Sequence, residues 1–512
     1  MAGDELEPSL TETAVAGSPP DGGQGEGSSA NAGQERAAQR STRLIAGNLR
    51  KFGVAQIATR LSGLLVVVLL VRLLSQADFG RYTVAIALVA IMTLFVELGM
   101  GGYLLREGSQ RPEAIGGLLG HVLLLRAAFG VVAIGVLVPI ALLLDYDRVT
   151  FTAVLLLAAA ALARVFRDSY LTVLQTLERV RDATRTQSQQ AIVIAVVTAG
   201  AALTGFGVVG VSGAVLAISL VTPIWAWRRL RRRWSGNIDL RLTGLSNTLV
   251  ASAIFSASHG LHVTLNYLDA VMIQALQGNV AAGLYGAAYR VLIALLLLPA
   301  IYVDAVSRSI SHYGRSDRVQ MRRIYDRGIA HLTAIGVPLG LGGALLSEPI
   351  LLFLFGPPYV GAATALSILL PGAMFAIPAW IALVTAYGVG RERTVAAIFA
   401  IAVLANGTAN FLLIPTFGIE GAAAASFAAE AFVLTAVLVV LWRAGVPTRL
   451  GRVFGKPLVG GALMCLAVWP VREAPLALPV LLGAITYFVA LLAVRAFEAE
   501  DREMLRALFS RS

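Results

Sequence analysis

Four polar residues, His259, His262, Asn266 and Asp269, recur at spacings of 3, 4 and 3 inside a long apolar stretch. On a helix these spacings stack them on one face. Ser252 and Ser256 precede them. Imidazole, amide and carboxylate groups in a row can line water, move a proton or hold a polar solute. They can equally form a hydrogen-bonded seam between helices, and both readings stay open at this point. Two histidines and an aspartate could ligate a metal, but no recognised metal motif accompanies them, and neither a metal nor a cofactor is expected.

A second set is cationic. Arg60 follows Gln56 by one turn, Arg126 follows His121, and Arg164 stands near Arg167 and Asp168. Arg164 and Asp168 have the i, i+4 spacing of a helical ion pair. Arg290 and Asp304 lie about 21 Å apart along a helix, too far to pair directly. Arg290 is therefore expected to pair with Asp269 or to hold a phosphate. Ionisable groups inside apolar runs cost several kcal/mol in lipid unless they face a cavity or a partner. The cavity candidates are Arg60, Glu97, Arg126, Arg164, His259, His262, Asn266, Asp269 and Arg290. Several arginine forks around one cleft suit a substrate with two or three phosphate charges. Arg106 is read as a snorkelling residue. Asn406, Asn410 and Glu430 are read as packing through interhelical hydrogen bonds.

The elements that must position these residues are membrane helices. The chain has 512 residues, is 57% hydrophobic and only 14% charged, and its mean hydropathy is +0.76. A soluble domain carries about a quarter charged residues, so a water-soluble enzyme is excluded. A single cysteine, Cys465, excludes a disulfide framework. Fourteen apolar runs are long enough to span, at approximately 50–74, 82–105, 117–144, 150–177, 188–204, 208–228, 247–276, 282–308, 328–346, 361–388, 394–415, 419–442, 454–470 and 476–495. Their length makes them helices rather than barrel strands. Residues 1–42 differ in kind: acidic, rich in Gly, Ser, Pro and Ala, without a signal-peptide pattern, and expected to be a disordered cytoplasmic tail.

With both ends placed in the cytoplasm, most arginines fall in the inner segments, including the run WRRLRRRW at 227–234, while the outer loops hold Arg72, Arg81, Arg148 and Arg472. Topology thus accounts for the net charge of +11, and no nucleic-acid partner is needed. The chain also resembles itself. ADFGRYTVA (77–85) aligns with VAAGLYGAA (280–288) through Gly80/Gly283 and Tyr82/Tyr285, at an offset of 203. TGFGVVGVSGA (204–214) aligns with PTFGIEGAAAA (415–425) through Gly207/Gly418 and Gly210/Gly421, at an offset of 211. A unit of six spans, being even, repeats in parallel about an axis along the membrane normal. The expected fold class is all-α: two pseudo-symmetric six-helix lobes around a central cavity, plus two C-terminal helices. The expected divisions are an N-lobe at 43–227, a basic linker at 228–246, a C-lobe at 247–443, and spans 13–14 with a short tail at 444–512.

The segments LLSQADFGRY (73–82), FVELGMGGYLLRE (95–107), DAVMIQALQGNVAAGLYGAAYRV (269–291) and NFLLIPTFGIEGAAAASFAAE (410–430) resemble the polysaccharide transporter family. These are flippases for lipid-linked oligosaccharides, in the multidrug/oligosaccharidyl-lipid/polysaccharide exporter superfamily. The resemblance runs from about residue 45 to 443. It implies a cavity lined mainly by spans 1, 2, 7 and 8. It also implies a polyprenyl- or dolichyl-(pyro)phosphate-linked glycan as substrate, at the cytoplasmic membrane. H+ or Na+ would couple through Asp269, Asp304 or Glu97, and glycan assembly enzymes are candidate partners besides membrane lipid. The chain carries no nucleotide-binding GxxxxGK[ST], no HExxH and no GxSxG, so no enzyme is expected. Two alternatives stand beside the flippase: a cation-coupled drug antiporter of the same superfamily, and a membrane glycan polymerase or ligase. The antiporter would favour a net acidic cavity; the polymerase or ligase would need a sizeable outer loop.

Overall fold

The computed structural model describes residue 63, residues 65–177 and residues 180–494. The tail at 1–42, Gln56 and Arg60 lie outside the described residues, as do the side chains at 253–256, Ser256 among them. The described residues are mostly helical, without strands. The first half runs through Gln76–Glu97, Met100–Gln110, Ile115–Leu143, Arg148–Thr176, Val180–Leu203 and Gly207–Arg231. The second half runs through Leu245–Leu295, Leu297–Ser316, Arg318–Leu345, Ser347–Phe355, Ala363–Gly388 and Glu392–Arg443. Leu450–Val468 and Ala477–Ala493 follow.

Among the described residues eight helical segments are long and apolar enough to cross a membrane, or nine with the bent segment that ends at Leu295. The described residues do not confirm fourteen; two long helices account for part of the difference. Glu392–Arg443 is 52 residues long, about 78 Å if straight, against a hydrocarbon core of about 30 Å. It folds back at Gly418, whose φ of 57° only glycine adopts freely. Leu245–Leu295 likewise breaks at Gly278, with φ 85°. There the Tyr285 hydroxyl donates to Asp269 and the Tyr289 hydroxyl to Asn266, so the two arms run antiparallel. Each long helix therefore supplies two spans. The run at 82–105 is interrupted instead: the helix stops at Glu97, because Leu98 and Gly99 both take positive φ, and resumes at Met100.

The internal repeat appears in the backbone. Gly207 and Gly418, aligned from sequence, turn with φ of 59° and 57°. Gly80 and Gly283 meet across the two halves. A Cβ on Gly80 would lie 1.8 Å from the Asn279 carbonyl oxygen, and one on Gly283 would lie 2.1 Å from that of Gln76. Gln76 and Asn279 are themselves 203 residues apart, so each half presents the same carbonyl to the other's glycine. This is the contact a twofold relation requires. Nearby, Arg72 donates to the carbonyls of Leu354 (2.7 Å) and Phe353 (2.6 Å), at the C-terminal end of Ser347–Phe355. Gln76 donates to the Pro358 carbonyl. The halves are shut against each other at this end of the bundle.

Four arginines of the basic run joining the halves are engaged. Arg229 and Arg233 pair with Asp182, Arg231 lies over the Trp227 ring, and Arg241 pairs with Asp239. The following segment lies against Ile115–Leu143, where the Asp239 amide donates to the Gly116 carbonyl (3.1 Å).

Candidate functional site

Two open cavities of similar size adjoin the meeting of the halves. One, of about 530 Å³, is lined by Arg164, Arg167, Gln187, Thr198 and Tyr82 of the first half. The other, of about 500 Å³, is lined by His262, Asn266, Arg290, Trp380 and Glu430 of the second. Gly63, Val67 and Tyr267 line both, so they are two arms of one space.

Arg164 reaches the first arm from the helix Arg148–Thr176. Its expected partner does not bind it: Asp168 pairs with Arg167 instead, at 2.7 Å. Arg290 reaches the second arm from the segment after Gly278. Its expected pairing with Asp269 is also not made. Among the described residues neither Arg164 nor Arg290 has an ion-pair partner. Tyr82 lines the first arm together with Arg164. Uncompensated guanidinium groups inside a membrane protein are costly, and a site that keeps two of them is suited to an anion.

Asp269 is buried elsewhere, in a polar cluster. It accepts from Tyr285 (2.7 Å), Asn410 (2.6 Å) and Ser426. Asn410 also donates to Asn406 (3.0 Å). Asn266 accepts from Tyr289 (3.0 Å) and donates to the His262 carbonyl (2.9 Å). Asp269, Asn266, Asn406, Ser426 and Glu430 line a small space of about 40 Å³, room for one or two waters or a small cation, which adjoins the second arm through Asn266, Tyr289 and Glu430. The Asn410 amide oxygen and the Asn406 amide nitrogen are buried there without a partner. Asn406, Asn410 and Glu430, read from sequence as packing residues, thus join the span-7 carboxylate. No cluster of three or more His, Cys, Asp or Glu able to hold a metal occurs among the described residues.

The remaining candidates are placed apart. Arg126 does not line either arm. It is fully buried and donates to the Val165 carbonyl (2.7 Å) and the Ser169 hydroxyl (2.5 Å), bracing Ile115–Leu143 against Arg148–Thr176. Glu97, half exposed, lies 3.4 Å from Arg126 at the end of its helix. His259 is exposed; His262, which lines the second arm, also stacks on Phe399 with ring centroids 4.9 Å apart. Asp304 is exposed on Leu297–Ser316 and lines none of these spaces. His121 contacts Thr248 (3.1 Å), and Ser252 donates to the Leu249 carbonyl. Sequence reasoning missed Trp380, Tyr289 and Ser426. Trp380 carried a faint signal, a lone indole in an alanine-rich span; Tyr289 and Ser426 carried none.

A multi-pass helical membrane protein with a two-armed central cavity and a buried carboxylate cluster is the class this geometry defines. The chain belongs to the polysaccharide biosynthesis protein family, whose profile matches residues 69–364. It is 25% identical over 267 residues to the probable flippase AglR of Haloferax volcanii, an alignment covering 49% of this chain and 54% of that one. The chain thus spans about half the length of this relative. Its structure is similar to the lipid II flippase MurJ in an inward closed conformation, with TM-score 0.70 at 14% identity, over 87% of this chain and 98% of that one. It is also similar to an inward-facing multidrug resistance MATE family transporter of the MOP superfamily, with TM-score 0.63 at 14% identity, over 76% and 94%. At such identity the likeness is one of fold.

Proposed function

We propose that this protein is a flippase that carries a polyprenyl- or dolichyl-(pyro)phosphate-linked oligosaccharide across the cytoplasmic membrane by alternating access. The observation that carries the reading is the pair of unpaired guanidiniums, Arg164 and Arg290, presented to one cavity from opposite halves of the chain. A phosphate held between them neutralises both and links the halves, so substrate affinity depends on their relative position. The lipid tail stays in the bilayer while the headgroup occupies the cavity. The halves act as lobes at 43–227 and 247–443, joined by the linker 228–246, with 444–512 outside the repeat and both termini cytoplasmic. The contacts at Gly80/Gly283 and Arg72 then close the outer end and leave access from inside. Family membership and the similarity to AglR support this reading.

Asp269 is the coupling group in this scheme. Its carboxylate, beside the unpartnered Asn410 oxygen, offers a site for H+ or Na+ whose occupancy changes the charge of the second half. Deleting the gene tests the substrate. A completed lipid-linked glycan should accumulate and surface glycan should fall, with rescue by the wild type and not by Arg290→Ala. Unchanged lipid-linked pools with raised sensitivity to cationic drugs would instead establish the antiporter.

A further inference from the structure

The two cavity arms have nearly equal volume and unequal chemistry. The first-half arm offers Arg164, with Arg167 paired to Asp168, and among the described residues neither a carboxylate nor a tryptophan lines it. The second-half arm offers Trp380, Tyr289, Asn266, His262 and Glu430 beside Arg290. Trp380 projects from Ala363–Gly388 and is partly exposed in this space, with Ala294, Ala300 and Ala376 among its small neighbours on the wall. Among the described residues its indole N–H makes no hydrogen bond, and the Glu430 carboxyl makes none. An indole N–H and a carboxyl left unpaired on one wall of an open cavity are available to the hydroxyls of a solute.

We propose that this arm is a sugar subsite, in which a pyranose ring of the substrate stacks on Trp380 and its hydroxyls bond the Trp380 N–H, Glu430 and Asn266. This rests on the flippase reading. An indole face is electron-rich and meets the C–H face of a sugar ring, whose partial charge is positive. Hydroxyls both donate and accept, so a carboxylate, an amide and an N–H together suit them where a phosphate would suit none but the donors. The volume of about 500 Å³ is that of an ordinary small-ligand pocket. The substrate thus enters with its phosphate between Arg164 and Arg290 and its first sugars against the second half. The indole reads the sugar, and the arginines read the charge.

The test uses the full chain in detergent and two probes: a polyprenyl phosphate without sugar, and the same lipid phosphate bearing a hexose. Trp380→Leu should weaken binding of the hexose-bearing lipid about five- to tenfold and leave the bare lipid phosphate unchanged, as expected for loss of one aromatic contact. Trp380→Phe, which keeps a ring and loses the N–H, should fall between. Glu430→Gln should weaken the hexose-bearing lipid alone. Should Trp380→Leu unfold, judged by thermal denaturation, Trp380→Phe and Glu430→Gln carry the test. Equal affinities for the hexose-bearing lipid across wild type and these variants, or equal loss for both lipids, would overturn the sugar subsite. The double variant Arg164→Ala, Arg290→Ala should weaken both lipids; if it weakens neither, the phosphate reading itself fails, whatever Trp380 does.

Discussion

At Gly207 in the first half and Gly418 in the second the backbone turns with φ of 59° and 57°, yet the two halves bury quite different polar groups. The first half buries Arg126, braced by the Val165 carbonyl and the Ser169 hydroxyl, with Glu97 at its exposed edge. The second half buries Asp269, held by Tyr285, Asn410 and Ser426, beside a small space that adjoins the second arm. The arginine lines no cavity and braces two helices. The aspartate lines one, which suits the coupling role proposed for it. The difference lies in side chains placed on the repeated frame.

The largest expected effect breaks what the halves share. Gly80→Val or Gly283→Val puts a Cβ about 2 Å from a carbonyl of the other half, so this end cannot close. Transport should be lost in both variants alike, with each protein still folded, as measured by flipping in liposomes and by cysteine accessibility at that end. Loss in one variant only would deny the symmetric contact.

The next effect sharpens the contrast. Asp269→Ala removes the acceptor shared by three buried donors and should cost about 3 kcal/mol in stability, read as a lowered Tm. Arg126→Ala should destabilise by a similar order. Only Asp269→Asn, which keeps the shape and removes the charge, should abolish any dependence of transport on H+ or Na+. Ion dependence that survives Asp269→Asn and disappears with Arg126→Met would reverse the assignment of the halves.

A smaller effect probes the frame alone. Gly207→Ala and Gly418→Ala each force a side chain into left-handed backbone, at about 1 kcal/mol. Matching Tm losses would support the repeat. The smallest effect lies outside the spans. Asp147 caps the helix Arg148–Thr176 and pairs with Arg81. Partial burial opposes its ionisation, but the bonds from Thr150 and Arg81 outweigh this and hold its carboxyl below the usual carboxylate range. The folded state thus favours the ionised form. Its contribution is present above the ordinary carboxylate pKa and fades as pH falls through the lowered one. Asp147→Asn should flatten that acid limb by under about 1 kcal/mol, since the pair is partly exposed.

Much of this frame is legible in the sequence, because turns and close approaches are local demands. Gly80, Gly207, Gly283 and Gly418 align by spacing, and each meets a backbone need that no side chain satisfies. The polar stripe of span 7 was legible as a face, but not what it faces. Asp269 and Asn410 are 141 residues apart, and nothing local announces that they bond. Arg126 and Arg164 look alike as lone arginines in apolar runs. Which one meets the cavity depends on helix rotation within the bundle, a property of packing rather than of periodicity. Asp168 sat at pairing distance from Arg164 along the helix, yet its neighbour Arg167 took it. That shift is what leaves Arg164 open to an anion.

The central claim is that an anionic lipid headgroup is held between the halves by Arg164 and Arg290. It is tested most directly by flipping of a fluorescent polyprenyl-pyrophosphate-linked oligosaccharide in liposomes containing wild type, Arg164→Ala, Arg290→Ala or both. Each single loss of a charged hydrogen-bonding group should slow flipping at limiting substrate about tenfold or more. The double variant should fall to the rate of empty liposomes, with unchanged Tm. Wild-type rates in the double variant would contradict the claim and remove the phosphate from this cavity.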